Sequence, residues 1–154
     1  MEEPTVIVPD SVVVTAGIRN VGTPFDLAAD DSSDYSIFRS NSDVLSRTWF
    51  EVEATSPIQN PSQFNVTLDG SVFARSTVNQ TIELWNFNSG AWEIVDTREA
   101  TRFADSMTEV VGTGNLSRFV QNTSGTIRAR IRYQSVRQRQ RFTSLTDLFN
   151  WSIE

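Results

Sequence analysis

Short segments of alternating polarity, divided by Gly-, Pro- and Asn-containing turns, predict an all-β fold, a sandwich or barrel of about eight or nine strands. Two segments carry most of that prediction. Thr126–Tyr133 sets Ile127, Ala129, Ile131 and Tyr133 on one face and Arg128, Arg130 and Arg132 on the other. Thr81–Thr97, TIELWNFNSGAWEIVDT, reads as strands Ile82–Phe87 and Trp92–Asp96 joined at Asn88-Ser89-Gly90, a hairpin signal.

In chain order, Thr5–Val8 is extended until Pro9, and residues 1–9 read as an extension or linker before a single domain, 10–154. Ser11–Ile18 is β-branched and predicts a strand. Arg19–Asp34 has loop chemistry, with Gly22, Pro24 and four aspartates, and Tyr35–Phe38 is extended again. In Thr48–Ala54, Phe50, Val52 and Ala54 oppose Trp49, Glu51 and Glu53, so the first set is expected inside. Gln63–Leu68 alternates, Asp69-Gly70 is expected to turn the chain, and Ser71–Ala74 is a weak strand. Arg98–Asp105 has some helical character; Ser106–Gly112 is a strand; Leu116–Gln121 is a single helical turn with Asn115 or Ser117 as cap. Gln134–Arg141 is polar, Thr143–Asp147 loop-like, and Leu148–Ile153 a last strand.

The residue inventory excludes whole classes of chemistry. Cysteine, histidine and lysine are all absent, which removes disulfides, thiolate and imidazole metal sites, His-dependent triads and Schiff-base lysines. An enzyme here would depend on carboxylates or a bound metal. The net charge of −6 argues against nucleic-acid binding, although the distribution is uneven. Residues 1–60 carry ten acids and three arginines, and residues 118–154 two acids and seven arginines. No apolar run is long enough to span a bilayer, so membrane insertion is not expected. No leader opens the chain, and an export signal is expected to lie upstream or to have been removed.

Several groups are candidates for function, each beside a plainer reading. Trp85 and Trp92, with Glu83 and Asp96 on their face, form a surface type that stacks on a sugar ring and accepts hydroxyl protons. The residues favour core for that face, with a sugar platform as the alternative. Trp49 falls among Glu51 and Glu53 on the solvent side of its strand, either as an interface ring or covered by a neighbour. Asp26, Asp30, Asp31 and Asp34 are candidate ligands for a structural Ca²⁺, against an ordinary Asp-rich turn. The Arg128/Arg130/Arg132 ladder, extended by Arg137, Arg139 and Arg141, invites a phosphate or nucleic-acid reading. Cross-strand pairing with Glu51, Glu53 or Glu83 is favoured over it. Glu51/Glu53 or Glu83/Asp96 as a glycosidase pair lacks any sign of a cleft. The run Gln138–Arg141 reads as a solvated loop or an inter-subunit contact.

From about Asp10 onward the chain resembles an uncharacterised C-terminal β-domain of large secreted or surface proteins of planctomycetes and similar bacteria. The matching pieces are Asp26-Leu27 with Asp30-Asp31, then Ile82-Glu83-Leu84-Trp85-Asn86 followed by Gly90 and Val95-Asp96-Thr97-Arg98. Leu116-Ser117-Arg118-Phe119-Val120, Arg128-Ala129-Arg130-Ile131-Arg132 and the closing Trp151 complete the set. The hairpin and the Phe119–Arg132 passage also look like strands of galactose-binding-type jelly rolls. The resemblance implies a jelly-roll-like β-sandwich serving as a secreted, non-catalytic module, and it carries no assigned ligand residues. The expected function is carbohydrate binding through Trp49, Trp85 and Trp92, with Glu51, Glu53 and Asp96 as hydrogen-bonding partners. The alternative is a structural or adhesive module at the cell surface that contacts a neighbouring protein domain or another copy of itself.

Overall fold

A computed structural model describes residues 3–28, 35–38 and 45–154. Among these, eleven strands form two antiparallel sheets, more than the eight or nine expected. They are β1 (Thr5–Ile7), β2 (Ser11–Ala16), β3 (Ile18–Val21), β4 (Tyr35–Phe38), β5 (Leu45–Thr55), β6 (Phe64–Ala74), β7 (Val78–Asn86), β8 (Ala91–Glu99), β9 (Ser106–Val111), β10 (Thr126–Gln138) and β11 (Phe142–Ile153). One sheet runs β3-β4-β11-β6-β9, with β1 also paired to β11; the other runs β2-β5-β10-β7-β8. Long β11 holds β4 along Thr143–Thr146 and β1 along Trp151–Ile153.

The alternation seen in the sequence becomes the two sides of each sheet. Phe50, Val52, Ala54, Ile127, Ala129, Ile131 and Tyr133 are buried from the five-stranded sheet, facing Phe64, Val66, Leu68, Phe149, Trp151 and Ile153 from the other. Burying a large apolar side chain contributes about 1.5–3 kcal/mol, so this interleaved layer dominates the stability. Among the described residues, buried hydrogen bonds cross between the sheets: Thr48 Oγ1 donates to Ser144 Oγ at 2.8 Å and Gln80 Nε2 to Thr108 Oγ1 at 3.2 Å.

Three sequence expectations change. Asp69-Gly70 does not turn the chain, because β6 continues unbroken through it. A Cβ on Gly70 would lie 2.9 Å from the Leu145 carbonyl oxygen and 3.1 Å from the Tyr133 hydroxyl. The glycine makes room for the β11 backbone beside it and for Tyr133 from the other sheet, and the strand needs no reversal there. Thr143–Asp147 is not a loop; it belongs to β11, whose register slips between Thr146 and Leu148 to accommodate Asp147. The segment with helical character forms no helix. It ends β8, then crosses to the other sheet by backbone bonds from Ala100 N to Val78 O (2.8 Å) and Val72 N to Thr101 O (2.9 Å). The turn at Leu116–Phe119 is present as one 3-10 turn, with Asn115 Oδ1 accepting from Ser117 N and Oγ.

Candidate functional site

The outer surface of the five-stranded sheet gathers most of the residues singled out from the sequence. Strand β10 runs down its centre between β5 and β7, so Arg128, Arg130 and Arg132 project along its middle. The register sets Glu53 beside Arg128, Glu51 and Glu83 on either side of Arg130, and Trp49 and Thr81 on either side of Arg132. At the far edge, Trp85 lies opposite Trp92 and Glu83 opposite Ile94. Val13 on β2 lies opposite Glu51 and, like Ile94, is more than half exposed, so both edges of the patch are apolar.

Rings and guanidiniums interleave. The Arg128 guanidinium carbon is 5.1 and 5.3 Å from the ring centres of Trp85 and Trp92, and that of Arg130 is 4.6 Å from Trp92 and 5.3 Å from Trp49. Arg47 and Arg132 also cover Trp49, at 4.5 and 4.9 Å. Trp85 and Trp92 meet edge to face at 5.2 Å. Each cation–π contact at such partly exposed positions contributes about 0.5–1 kcal/mol. The same arginines reach carboxylates. Arg128 lies 3.7 Å from both Glu51 and Glu53, Arg132 is 3.1 Å from Glu83, and Arg130 Nε donates a short hydrogen bond to Glu83. The pairing favoured from the sequence is therefore present. Glu83 is almost fully buried beneath two guanidiniums.

The tryptophan face is not core. Ile82 and Leu84, the residues alternating with it, are at most 1% exposed, whereas Trp85 and Trp92 are half-buried on the outer side. The register explains why. The hairpin loop is Phe87–Gly90, beginning one residue earlier than the sequence suggests, and Asn86 Oδ1 accepts from Asn88 N and Ser89 N to close it. That places Trp85 against Trp92, and a bulge at Val95 then turns Asp96 to the opposite side, across from buried Ile82. Asp96 is therefore separated from the tryptophans, with Arg98 as its bidentate partner at 2.8 and 2.9 Å. Glu83 and Asp96 lie on different faces and make no catalytic pair.

The other edge of β8 is fastened from inside. Arg118 on the 3-10 turn donates to both Glu93 oxygens, at 3.0 and 2.8 Å, and to the carbonyls of Thr113 and Asn115. The bond from Arg118 lowers the Glu93 carboxyl below its ordinary value, and the same bond raises Arg118. Of the acidic loop, Asp26 is occupied locally, its carboxylate accepting from Thr23 N at 2.6 Å; Asp30, Asp31 and Asp34 lie outside the described residues. A different group of carboxylates escaped the sequence reading. Asp69, Asp105 and Asp147 come from three places in the chain and bring oxygens within 4.8 Å of one another, with Ser71 Oγ donating to Asp105 at 3.1 Å.

Two further features lie away from the tryptophan face, the first at the Gln138–Arg141 run already noted in the sequence. At the β10–β11 turn an open depression of about 550 Å³ is lined by Arg75, Arg137, Gln138, Arg139, Gln140 and Arg141. On the outer face of the other sheet, Phe73 and Phe103 are mostly exposed and meet edge to face at 5.1 Å. No helix among the described residues is long and apolar enough to cross a membrane.

No family model matches this chain, and no curated protein sequence matches it. Solved structures do. A non-crystalline cellulose specific carbohydrate-binding module, CBM28, is similar at 10% identity with a TM-score of 0.59, covering 94% of this chain and 96% of that one. The xylan-binding module CBM15 matches at 11% identity and 0.57, covering 97% of each chain. TmCBM61, solved with β-1,4-galactotriose, matches at 13% identity and 0.51, covering 98% of this chain and 88% of that one. The fold is a jelly-roll β-sandwich of the kind these modules share.

Proposed function

We propose that this chain is a non-catalytic carbohydrate-binding module whose site is the outer face of the five-stranded sheet. The observation that carries the reading is the placement of Trp49, Trp85 and Trp92 on one solvent-facing surface with Glu51, Glu53 and three arginines between them. Indole faces offer flat apolar area to the C–H side of a sugar ring, and carboxylates and guanidiniums bond its hydroxyls. Two N–H donors on this patch, Trp49 Nε1 and Arg132 Nε, are buried without an acceptor. An unmet buried donor costs about 1–3 kcal/mol, so a ligand oxygen that reaches either one gains affinity. The similar solved structures include binders of cellulose, xylan and a galactotriose, which supports the class and leaves the sugar open. The same likeness supports a module that works outside the cell, in keeping with the resemblance to secreted bacterial β-domains.

The test is binding to a broad polysaccharide panel, followed by tryptophan fluorescence, for wild type, Trp49→Ala and Trp85→Ala. Each run is repeated with calcium and with chelator, so that a cation's contribution to the fold is read separately. Saturable binding lost in a folded variant is the expected result; binding that survives in Trp49→Ala/Trp85→Ala moves the site elsewhere. A second reading, a protein-contact module, draws on the exposed Phe73–Phe103 pair. Sedimentation over a hundredfold concentration range checks it, with self-association lost in Phe73→Ser as the outcome that would favour it.

A further inference from the structure

We propose that the arginine-lined depression at the β10–β11 turn is a subsite for the charged groups of an acidic glycan, one bearing carboxylate or sulfate. This rests on the carbohydrate reading and extends it to a substrate class. Arg75, Arg137, Arg139 and Arg141 line the depression, and among the described residues none of them pairs with a carboxylate. Arg102 stands beside the depression, donating to the Arg75 carbonyl at 3.0 Å. The whole chain has 13 arginines against 19 acids. An unneutralised arginine cluster on an acidic protein is a local reversal of sign, and it attracts anionic groups to that end of β10.

The depression is held open by its own scaffold. Gln140 Oε1 accepts from Ser76 N at 2.6 Å and Ser76 Oγ at 2.7 Å, and Gln140 Nε2 donates to the buried Ser135 Oγ at 2.6 Å. Ser135 in turn donates to the Arg137 carbonyl and accepts from its N–H. The glutamine and serine fasten the β6–β7 connection to the β10–β11 turn, which leaves the arginine side chains uncommitted. Arg139 sits at the tip with φ of 57°, a conformation that favours glycine and costs an L-residue about 1 kcal/mol or more. The guanidinium stands there at the expense of backbone comfort.

Position selects the ligand. Strand β10 connects the depression directly to the tryptophan face, and a second hollow lined by Asn79, Thr81, Thr97, Arg132 and Gln134 lies between them. Arg132 and Gln138 are six residues apart, roughly 20 Å at a strand's rise. A glycan stacked on the tryptophans can therefore extend along β10 and set an acidic substituent among the free guanidiniums, which match carboxylate and sulfate oxygens as forks. Among the described residues no aromatic side chain lines the depression, which disfavours single-stranded nucleic acid.

The experiment compares wild type with Arg137→Gln/Arg139→Gln/Arg141→Gln, and with the corresponding triple lysine variant, on polygalacturonate, a sulfated dextran and neutral polysaccharides. Inorganic sulfate, duplex DNA and anionic phospholipid vesicles are run alongside, and thermal melts confirm folding. Wild type is expected to prefer the charged glycans, and the glutamine variant to lose roughly tenfold on them with neutral binding unchanged, as expected for three exposed contacts of a few tenths of a kcal/mol each. Lysine should restore part of the loss. An unchanged charged-to-neutral ratio in the glutamine variant overturns the subsite and leaves the platform standing. Binding of DNA or vesicles as tight as that of charged glycans also overturns it, since the patch is then unselective. No binding of any glycan overturns both readings.

Discussion

Strand β10 and the turn after it carry two sets of three arginines. Arg128, Arg130 and Arg132 each stack on tryptophan and reach a glutamate; Arg137, Arg139 and Arg141 do neither. The residue type and spacing are the same, so neighbours alone make the difference. Where β10 runs between β5 and β7, its side chains are flanked on both sides and the guanidiniums are built into the sheet surface. Beyond Ser135 the pairing with β7 ends, and the arginines face solvent. The first set is held in place with part of its donors committed to glutamates, and the second keeps all of its guanidinium donors for a charged ligand.

Substitutions at the two ends should separate these roles. The largest effect is expected at Glu83, whose two oxygens hold Arg130 and Arg132. Glu83→Ala leaves both guanidiniums without their closest carboxylate and should destabilise the fold by about 3 kcal/mol in urea denaturation. Arg139→Gln, by contrast, should change stability by no more than about 0.5 kcal/mol. Next is Arg139→Gly, which relieves the left-handed backbone and should stabilise by up to about 1 kcal/mol while weakening binding of acidic glycans. A stabilised variant with unchanged binding would deny the free arginines their role. The smallest effect concerns acid. Arg118 lowers the Glu93 carboxyl from its ordinary 4.5, so the stability of that pair is complete above 4.5 and is lost as the pH falls through the lowered folded value. Glu93→Gln should flatten that part of the acid limb, as followed by melting temperature against pH. The Arg137→Gln/Arg139→Gln/Arg141→Gln variant should leave it untouched.

Much of the fold could be read from the chain because two periods are clean. Thr48–Ala54 and Thr126–Tyr133 alternate without interruption, and the structure pairs them directly, Ile131 against Phe50 and Ala129 against Val52. The arginine–glutamate pairing follows from the same alternation. What the chain concealed lies where alternation fails. A loop that begins one residue early sets the hairpin pairing and a bulge at Val95 sets the face that Asp96 takes, and neither leaves a mark in composition. Composition alone favours the core for Trp85 and Trp92 and sets Asp96 on their face, whereas the tryptophans face outward and the bulge turns Asp96 away. Gly70 looked like a turn because Asp-Gly usually makes one, yet the crowding by Leu145 and Tyr133 that requires a glycine comes from residues more than sixty positions downstream. The Asp69, Asp105 and Asp147 cluster has the same cause, since only strand order brings those positions together.

Strand β1 pairs antiparallel with the last residues of β11, setting Thr5 across from Ile153. The arrangement has a mechanical consequence. Tension applied between those two residues pulls across the ladder from one end, so its hydrogen bonds are loaded in turn, as in a zip being opened. On its other side β11 is anchored by the much longer pairing with β6, from Phe64 to Ala74. The three residues of β1 should therefore peel away at low force, lengthening the tether before the tryptophan-bearing sheet feels any pull.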